Sequence, residues 1–243
     1  MRSQALADAS GAIGGSIHVQ GGRVSVRDGS LILIQNQGSQ TAGAISVNAS
    51  ESLTVSGTNL DSTVRSSLTN ETLGTGLGGD VDVLTKQLVV QEGATIVAKT
   101  FGSATGGNIN LNASELVQVI GTSAFNPSVT SSIVAATFGI GNSGHNTLST
   151  GRLTNSGGGT VASATFGTGK GGNLRVNATD SIEIVGVEPK LFAPSGLIAS
   201  TFNAGDAGNV ALDTSKLIVR DGGRVDASTF ATGNAGNVTI QCH

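Results

Sequence analysis

Aromatic rings, charge, cysteine and proline are all scarce in this chain of 243 residues. It has no Trp and no Tyr, one cysteine and three prolines, and only 12% of its residues are charged. The lone cysteine, Cys242, excludes an internal disulfide framework and a thiolate zinc site, and it has no assigned role. A formal net charge of −3, with no basic cluster and no Trp or Tyr on which bases could stack, excludes nucleic acid as an expected partner.

Long apolar runs are also missing from the chain. No stretch of about 20 apolar residues occurs, and the N-terminal MRSQALADASGAIGG has no apolar segment of the length that a secretory signal needs. We therefore expect neither a membrane span nor an export signal in this sequence. Ser, Thr and Asn stand where charged residues usually do, and they favour turns and strands over helix, so the composition predicts an all-β protein.

Glycine is abundant, with 37 residues, and it marks an internal repeat. A pair of small residues precedes an alternating apolar segment in GGSIHV, AGAISV, GGDVDV, GGNINL, GGNLRV, AGNVAL and AGNVTI, and a degenerate copy begins at Gly144. The landmark glycines are Gly15, Gly43, Gly79, Gly107, Gly144, Gly172, Gly208 and Gly236. Their spacings are 28, 36, 28, 37, 28, 36 and 28 residues, so short and long units alternate. Such a period is typical of a solenoid in which each unit supplies one turn.

Apolar residues within a unit recur at every second position, as in Val210/Leu212 and Leu217/Val219, and DGG or GN steps separate the segments. We therefore predict a single right-handed parallel β-helix over residues 1–243, with three short strands in each of about eight turns. The handedness follows from the preference of parallel crossovers. A rise of about 4.8 Å per turn predicts a shaft about 40 Å long.

Two further residue types recur once per turn. Five phenylalanines each end a strand in successive turns and predict an aromatic stack along the axis, with a structural role: Phe101, Phe138, Phe166, Phe202 and Phe230. Truncating Phe166 should cost about 3 to 5 kcal/mol if its ring is buried on all sides. The GN steps predict a corner where glycine adopts left-handed dihedrals and stacked amides bond along the axis, at Asn108, Asn173, Asn209 and Asn237.

In GGNINLNASELVQVIGTS, GGNLRVNATDSIEIVG and AGNVALDTSKLIVRDGGRVDASTFATGNAGNVTI, the sequence resembles the repetitive exoproteins of the filamentous haemagglutinin type. Those proteins are secreted by a two-partner system in cyanobacteria and proteobacteria. The resemblance covers nearly the whole chain. It implies a right-handed parallel β-helix, an outer-membrane two-partner-secretion transporter as a partner, and a role in adhesion or the surface layer. Both ends of the sequence fall inside a repeat unit, so we expect an interior segment of a longer secreted or cell-surface protein.

Motifs that could carry chemistry are better explained by the repeat. Two GxGxxG patterns, beginning at Gly139 and Gly167, are followed by no segment able to form the helix that a dinucleotide site needs. The histidines His18, His145 and His243 are too dispersed for a triad or a metal site, and we expect them to be exposed. No catalytic, cofactor-binding or metal-binding residue is predicted.

A polysaccharide lyase or hydrolase on the same fold is the main enzymatic alternative. Asp28, Glu92 and Asp221 share one phase of the repeat, each 13 residues after a landmark glycine, which predicts turn residues two and four turns apart rather than a carboxylate pair. The observation that would favour an enzyme is a groove holding two carboxylates and a Lys or Arg.

The long units carry insertions after Gly57, Gly121 and Gly186, reading TNLDSTVR, TSAFNPSV and VEPKLFAPSG. Their shared phase predicts one row of loops, about 10 Å apart, on one side of the shaft. One interpretation is a binding surface for a cell-surface glycan or protein. The other is a flap that covers one apolar face of the shaft, with Phe125 and Phe192 packed against it. Taken together, the sequence predicts the non-catalytic shaft of a secreted or surface-exposed adhesin.

Overall fold

A computed structural model describes residues 4–243 and contains β-strands but, within those residues, no helix. The first of two sheets, the eight-stranded sheet, is formed in this order by β1 (Leu6–Asp8), β3 (Leu31–Asn36), β5 (Ser67–Thr72), β7 (Thr95–Thr100), β9 (Ser132–Thr137), β11 (Thr160–Thr165), β13 (Gly196–Thr201) and β16 (Arg224–Asp226). The order follows the chain with every second strand left out as far as β13, and with two left out before β16, which is the topology of a coil that returns to the same sheet once per turn.

The intervening strands form the nine-stranded sheet. Its members in chain order are β2 (Ile17–Arg27), β4 (Ile45–Ser56), β6 (Val81–Gln91), β8 (Ile109–Ile120), β10 (Asn146–Ser156), β12 (Leu174–Val185), β14 (Val210–Thr214) and β17 (Val238–Cys242), with β15 (Leu217–Arg220) paired beside β12. The chain therefore alternates between the two sheets.

Strand pairing is parallel throughout and reproduces the predicted repeat. Ile17 pairs with Ile45, Ile45 with Val81, Val81 with Ile109 and Ile109 with Asn146, which gives spacings of 28, 36, 28 and 37 residues. The all-β parallel β-helix is thus confirmed, and the degenerate unit at Gly144 is a full turn. The predicted right-handedness stays a prediction. Below, turns 1 to 8 are the units that begin at the eight landmark glycines in order.

The turn has fewer separate strands than predicted. In turns 1 to 6 the first two expected strands are one continuous strand with an irregular register near its middle, for example between Thr150 and Arg152. These strands have 12 residues in the long units and 11 in the short ones, because the long units carry one extra residue at the mid-strand bulge, ahead of the inserted loop. A bulge bends a strand without ending its pairing. Only turn 7 has the three separate strands β14, β15 and β16.

The landmark glycines lie in one column where successive turns touch through their backbones. A Cβ on Gly172 would lie 1.8 Å from the carbonyl oxygen of Gly144, and one on Gly144 would lie 1.8 Å from that of Gly107. No side chain fits at that distance. The glycines recur because this corner has room only for backbone.

The interior between the two sheets is filled by aliphatic side chains, such as Ile45 and Leu53 from β4 and Leu68 from β5, all 0% exposed. Buried asparagines interrupt this filling, with Asn36 in turn 1 and Asn70 in turn 2 at 0% and 1% exposure. Turn 5 has two of them, Asn146 and Asn155, at 2% and 0% exposure. Asn155 Nδ2 donates to the carbonyl oxygen of Gly196 at 2.9 Å, and Asn146 Nδ2 donates to that of Ala162. Neither Oδ1 has a protein partner, so turn 5 carries a polar layer within an apolar interior.

The five phenylalanines form the predicted stack, with ring centroids 4.8 to 5.0 Å apart and interplanar angles of 4° to 12°. The stack is on the outside of the shaft, however. The loss of about 3 to 5 kcal/mol expected for a Phe166 buried on all sides therefore does not apply. Phe166 is 42% exposed, and its neighbours in the stack are exposed to a similar degree. We call this column Phe101, Phe138, Phe166, Phe202 and Phe230 the Phe ridge.

Candidate functional site

The three acids in one phase of the repeat are turn residues, as predicted. Asp28, Glu92 and Asp221 have φ values of 57°, 56° and 54°, in the left-handed region, and Gly57 and Gly121 occupy the same column with φ values of 79° and 69°. Because Gly57 stands between Asp28 and Glu92, these two carboxylates are separated by two turns, about 10 Å. The column therefore brings no pair of these acids together.

The predicted Asn corner forms, and it is longer than the sequence indicated. The left-handed dihedrals expected for its glycines are wrong, because none of the GN-step glycines has a positive φ and close backbone contact requires them instead. Each side chain accepts the backbone N–H of the next turn: Asn173 Oδ1 from Asn209 at 2.9 Å, and Asn209 Oδ1 from Asn237 at 2.8 Å. Asp80 begins the ladder by accepting the N–H of Asn108 at 2.7 Å. Such bonds lock successive turns in register, which gives the corner a structural role.

His145 is a member of this ladder rather than of a catalytic or metal site. Its backbone N–H donates to Asn108 Oδ1 at 3.0 Å, and its Nδ1 accepts the N–H of Asn173 at 2.9 Å. Nδ1 can accept only when it carries no proton, so the ladder selects the tautomer protonated at Nε2. His18, His145 and His243 are all exposed, as predicted.

Neither GxGxxG pattern precedes a helix. A Cβ on Gly167 would lie 1.5 Å from the carbonyl oxygen of Gly139, and one on Gly169 would lie 2.0 Å from that of Gly141. The two patterns therefore stack on each other in adjacent turns, and their glycines are required by backbone contact, as in the landmark column.

A row of charges of alternating sign was missed in the sequence. Seven exposed residues, each seven or eight positions after its landmark glycine, change sign from one turn to the next: Arg23, Glu51, Lys86, Glu115, Arg152, Asp180 and Lys216. We call them the charge row. Arg23 Nε lies 2.5 Å from Glu51 Oε2, and a shallow groove is lined by Arg23, Glu51, Lys86 and Glu115. The sequence contained this pattern, because the charged residue keeps nearly the same position in every repeat unit and only the sign of its charge alternates.

The three inserted loops share one side of the shaft, as predicted. They leave the shaft at Gly57, Gly121 and Gly186, which lie in the column of left-handed turn residues, with φ values of 79°, 69° and 78°. The first loop (residues 58–65) contacts the second (residues 122–130), since Ser62 Oγ lies 2.8 Å from Ser123 Oγ. The third loop comprises residues 187–194 and is closed by a bridge between its ends.

The interpretation that the loop rings pack against the shaft is wrong. Phe125 is 52% exposed and Phe192 is 75% exposed, and Leu60 and Leu191 are exposed at 64% and 52%. The loop backbones lie against the neighbouring turn, since a Cβ on Gly29 or Gly93 would lie 2.9 Å from Asn59 N or Ser123 N, respectively, while these four side chains point away. The row therefore presents apolar tips to its surroundings.

The tip of the third loop is held in shape by a buried carboxylate. Glu188 is 4% exposed, and its Oε2 accepts the backbone N–H groups of Lys190 at 2.8 Å and Leu191 at 2.6 Å. Phe192 has a φ of 55°, a left-handed conformation that is unfavourable for a residue with a Cβ. The loop thus holds the Leu191 and Phe192 side chains outward at some conformational cost.

An axial groove runs over the outer face of β5, β7 and β9, with a volume of about 400 Å³. The first loop, at Thr63 to Arg65, forms one wall, and Phe138 and Phe166 of the Phe ridge form the other. The walls bury outward-facing residues that a flat sheet would leave exposed, including Thr95 at 8% and Ala136 at 3%. We call this feature the axial groove.

Arg65 is a mostly buried cation in the wall of the axial groove. Its Nε donates to the carbonyl oxygen of Gly93 at 2.7 Å, and its Nη2 donates to Ala94 O at 3.3 Å, to Thr130 O and to Ser132 Oγ at 3.2 Å. These partners are neutral. Burial lowers the pKa of Arg65 to about 10, because desolvation disfavours its charged form. Within residues 4–243, no carboxylate lies within salt-bridge distance of this guanidinium.

A second groove, of about 650 Å³, lies on the outer face of the nine-stranded sheet. Most of its outward side chains are polar, including Ser46, Asn110 and Thr147, although Leu84 among them is 51% exposed. Asn110 Nδ2 donates to Asp82 Oδ1 at 2.8 Å. A polar, solvated sheet face of this kind is expected for one that packs no neighbour. Among the described residues that line it, none is a lysine or an arginine.

In comparisons with known proteins, no family model, curated protein or solved structure matches the chain. Within residues 4–243, no cluster of three or more His, Cys, Asp or Glu side chains is placed to hold a metal ion. The described part of the chain also has no helix long and apolar enough to cross a bilayer.

Proposed function

We propose that the chain is a non-catalytic shaft segment of a secreted or surface-exposed exoprotein that acts in adhesion or in a surface layer. The observation that carries this proposal is the unbroken turn-to-turn pairing. From β2 to β12, each strand of the nine-stranded sheet pairs along its whole length with the strand of the next turn, apart from the bulge. Such a scaffold resists bending and presents the same side of every turn in one line.

Adhesion is assigned to the row of inserted loops. Loops on a rigid scaffold are where binding residues concentrate, and the tips carry exposed apolar groups, among them Leu191 and Phe192. Preorganisation of the third loop by Glu188 reduces the entropy lost when a partner binds. The partner in this proposal is a cell-surface glycan or protein, and the resemblance to two-partner-secretion exoproteins supports an outer-membrane transporter as the partner in export.

Deleting residues 187–195 tests the adhesive role, with cell and glycan attachment and the melting temperature measured together. We expect attachment to fall, and the melting temperature to fall as well, because the deletion also removes the buried Ser195, whose Oγ donates to Val185 O at 2.9 Å and accepts the Gly158 N–H at 3.0 Å. The matched control is the double variant Leu191→Ser and Phe192→Ser, which keeps the loop backbone. Unchanged attachment in both variants would reject the loop row as the adhesive surface.

A glycan-cleaving enzyme is the second candidate, because one observation favours it. The groove of the charge row holds the carboxylates Glu51 and Glu115 together with Arg23 and Lys86. Two turns separate the carboxylates by about 10 Å, just above the range of about 6.5 to 9.5 Å in inverting glycosidases. Both acids are exposed, however, whereas a general acid usually depends on burial to hold its proton near neutral pH.

The enzymatic candidate is tested by incubating the protein with a panel of polysaccharides and measuring reducing and unsaturated ends. The shaft proposal expects no turnover. Turnover that disappears in Glu51→Gln and in Glu115→Gln, but not in Asp180→Asn elsewhere in the charge row, would replace it with the enzymatic one.

A further inference from the structure

We propose that the axial groove binds an oligosaccharide that carries carboxylate groups, and that Arg65 is the cation that receives a carboxylate. The site is separate from the exposed loop tips. It goes beyond the proposed function, because it does not depend on the chain acting in adhesion or export.

The shape of the axial groove suits an elongated small ligand. Its volume of about 400 Å³ is in the range of small-molecule sites. The floor runs along the shaft from Thr69 through Val97 to Val134, and both walls follow the same direction. The walls stand at the two ends of strands of six residues, about 16 Å apart, so a ligand that contacts both lies along the strands, with one end at Arg65 and the other at the Phe ridge.

Charge complementarity points to an anion. The two cations that line the axial groove are Arg65 and Lys99. Lys99 Nζ already lies 3.1 Å from Glu71 Oε1 and sits over the Phe101 ring, 5.6 Å from its centroid. Arg65 has only carbonyl and hydroxyl partners, and a partly buried charge is stabilised by an opposite charge brought beside it. A ligand carboxylate supplies that charge.

The chemistry of the floor favours a sugar over a peptide. An acidic peptide could not extend the sheet here, because the floor is a sheet face whose backbone N–H and C=O groups already bond to the neighbouring turns. What the floor offers instead is hydroxyl groups, such as those of Thr95 and Ser132, which lie 3.0 Å apart. A hydroxyl donates once and accepts twice, so each keeps capacity for a ligand hydroxyl.

Apolar side chains between these hydroxyl groups also fit a sugar ligand. Val97 and Val134 lie on the floor between the polar residues, and sugar rings present C–H groups beside their hydroxyls. The Phe ridge contributes ring edges only, because the faces of Phe138 and Phe166 cover each other at 4.8 Å. The ridge is therefore a wall that limits how far the ligand extends along the strands, not a stacking platform.

The test is calorimetric titration of the full chain with three probes: a galacturonate tetramer, the same tetramer as its neutral methyl ester, and a peptide of four glutamates. We expect the acidic tetramer to bind at least tenfold more tightly than either of the others, and its affinity to fall as salt is raised. Arg65→Gln removes the charge but keeps an amide donor, and should lower that affinity about tenfold or more.

A second pair of variants guards against loss of folding in Arg65→Gln. Val134→Asp adds a negative charge to the groove floor and should abolish binding, whereas Ala211→Asp adds the same charge to the outer face of the nine-stranded sheet and should not. The double variant Leu191→Ser and Phe192→Ser, which changes only exposed side chains, should leave binding unchanged, which separates this site from the adhesive loops. Equal affinity for the acidic and neutral tetramers, preference for the peptide, no binding, or an unaffected Arg65→Gln variant would each overturn the proposal.

Discussion

Thr165 and Phe166 are neighbours in the chain, yet the threonine is 0% exposed and the phenylalanine is 42% exposed. The same inversion recurs one turn away on each side, where the polar Thr137 and Thr201 are buried and the rings that follow them are on the surface. The two columns run side by side along the shaft, and hydrophobicity alone would place them the other way round.

Strand geometry explains the inversion. Side chains alternate between the two faces of a strand, and in β11 the large aliphatic Val161 fixes which face is inward. Thr165 has the same parity as Val161, and Phe166 has the opposite one. Stacking then limits the cost of exposing the ring, because each interior member of the ridge covers its neighbours at about 4.8 Å.

The largest loss of stability is expected when an aromatic ring is placed at Thr165, the buried neighbour of Phe166. Thr165→Phe forces a ring into a site closed by Thr137 and Thr201 of the adjacent turns. We expect a loss of about 3 kcal/mol or more in the free energy of unfolding, because overpacked interiors cannot relax. Urea unfolding measures it, and a loss below about 1 kcal/mol would mean that the interior has free space at the strand end.

Removing a ring from the outer column should have a smaller effect. Phe166→Ala deletes a half-exposed ring with two stacking partners, and we expect a loss of about 2 kcal/mol, less than for a buried phenylalanine. Phe230→Ala is the matched control, since its ring stacks on Phe202 alone within the described chain and is 58% exposed. It should lose less than Phe166→Ala, and equal losses in urea unfolding would contradict a contribution from stacking.

The buried threonines differ in whether their hydroxyl groups form a hydrogen bond. Thr165 Oγ1 donates to the carbonyl oxygen of Lys170 at 3.2 Å, whereas Thr100 Oγ1 is buried without a protein partner. We therefore expect Thr165→Val to destabilise the fold by about 1 kcal/mol and Thr100→Val to stabilise it by a similar amount. Melting temperatures of the two variants measure the difference, and shifts of the same sign would show that hydroxyl pairing does not distinguish the two sites.

The smallest effect concerns Asp206, in the segment between the Phe ridge and the landmark corner. Its Oδ1 accepts the backbone N–H of Asn234 at 2.9 Å, and this bond, with smaller contributions from the Asn234 amide and the Lys170 charge, holds the pKa of Asp206 below its usual value. A lowered folded-state pKa adds stability that is present above the unfolded-state pKa and is lost as pH falls through the folded-state value.

Asp206→Asn should therefore flatten the acid side of the stability profile slightly, with no change near neutral pH. Melting temperatures between about pH 6 and about pH 2 measure the effect, which is small because the carboxylate is exposed. Superimposable profiles for Asp206→Asn and the parent chain would mean that the bond to Asn234 adds nothing to stability.

The repeat was readable from sequence because backbone contact demands glycine. At Gly144 and Gly172 no other residue fits, so the landmark survives even in the unit whose interior carries Asn146 and Asn155. The shared side of the inserted loops could be predicted for a similar reason. Residues at the same position of the repeat lie at the same position around the coil. The charge row was equally accessible, because Glu51 and Lys86 hold nearly the same phase with opposite sign.

Spacing by itself therefore determined the parallel coil, the length of each turn and the glycine corner, since these depend on distances that every turn repeats. Only the tertiary structure decided that the Phe ridge faces outward and that Arg65 closes over a groove. The outward position of the Phe ridge depends on which alternate positions of each strand carry the aliphatic residues that face the interior. The closure of Arg65 over the groove depends on how one non-repeating loop folds back onto carbonyl groups of Gly93 and Thr130, which lie 28 and 65 residues further along the chain.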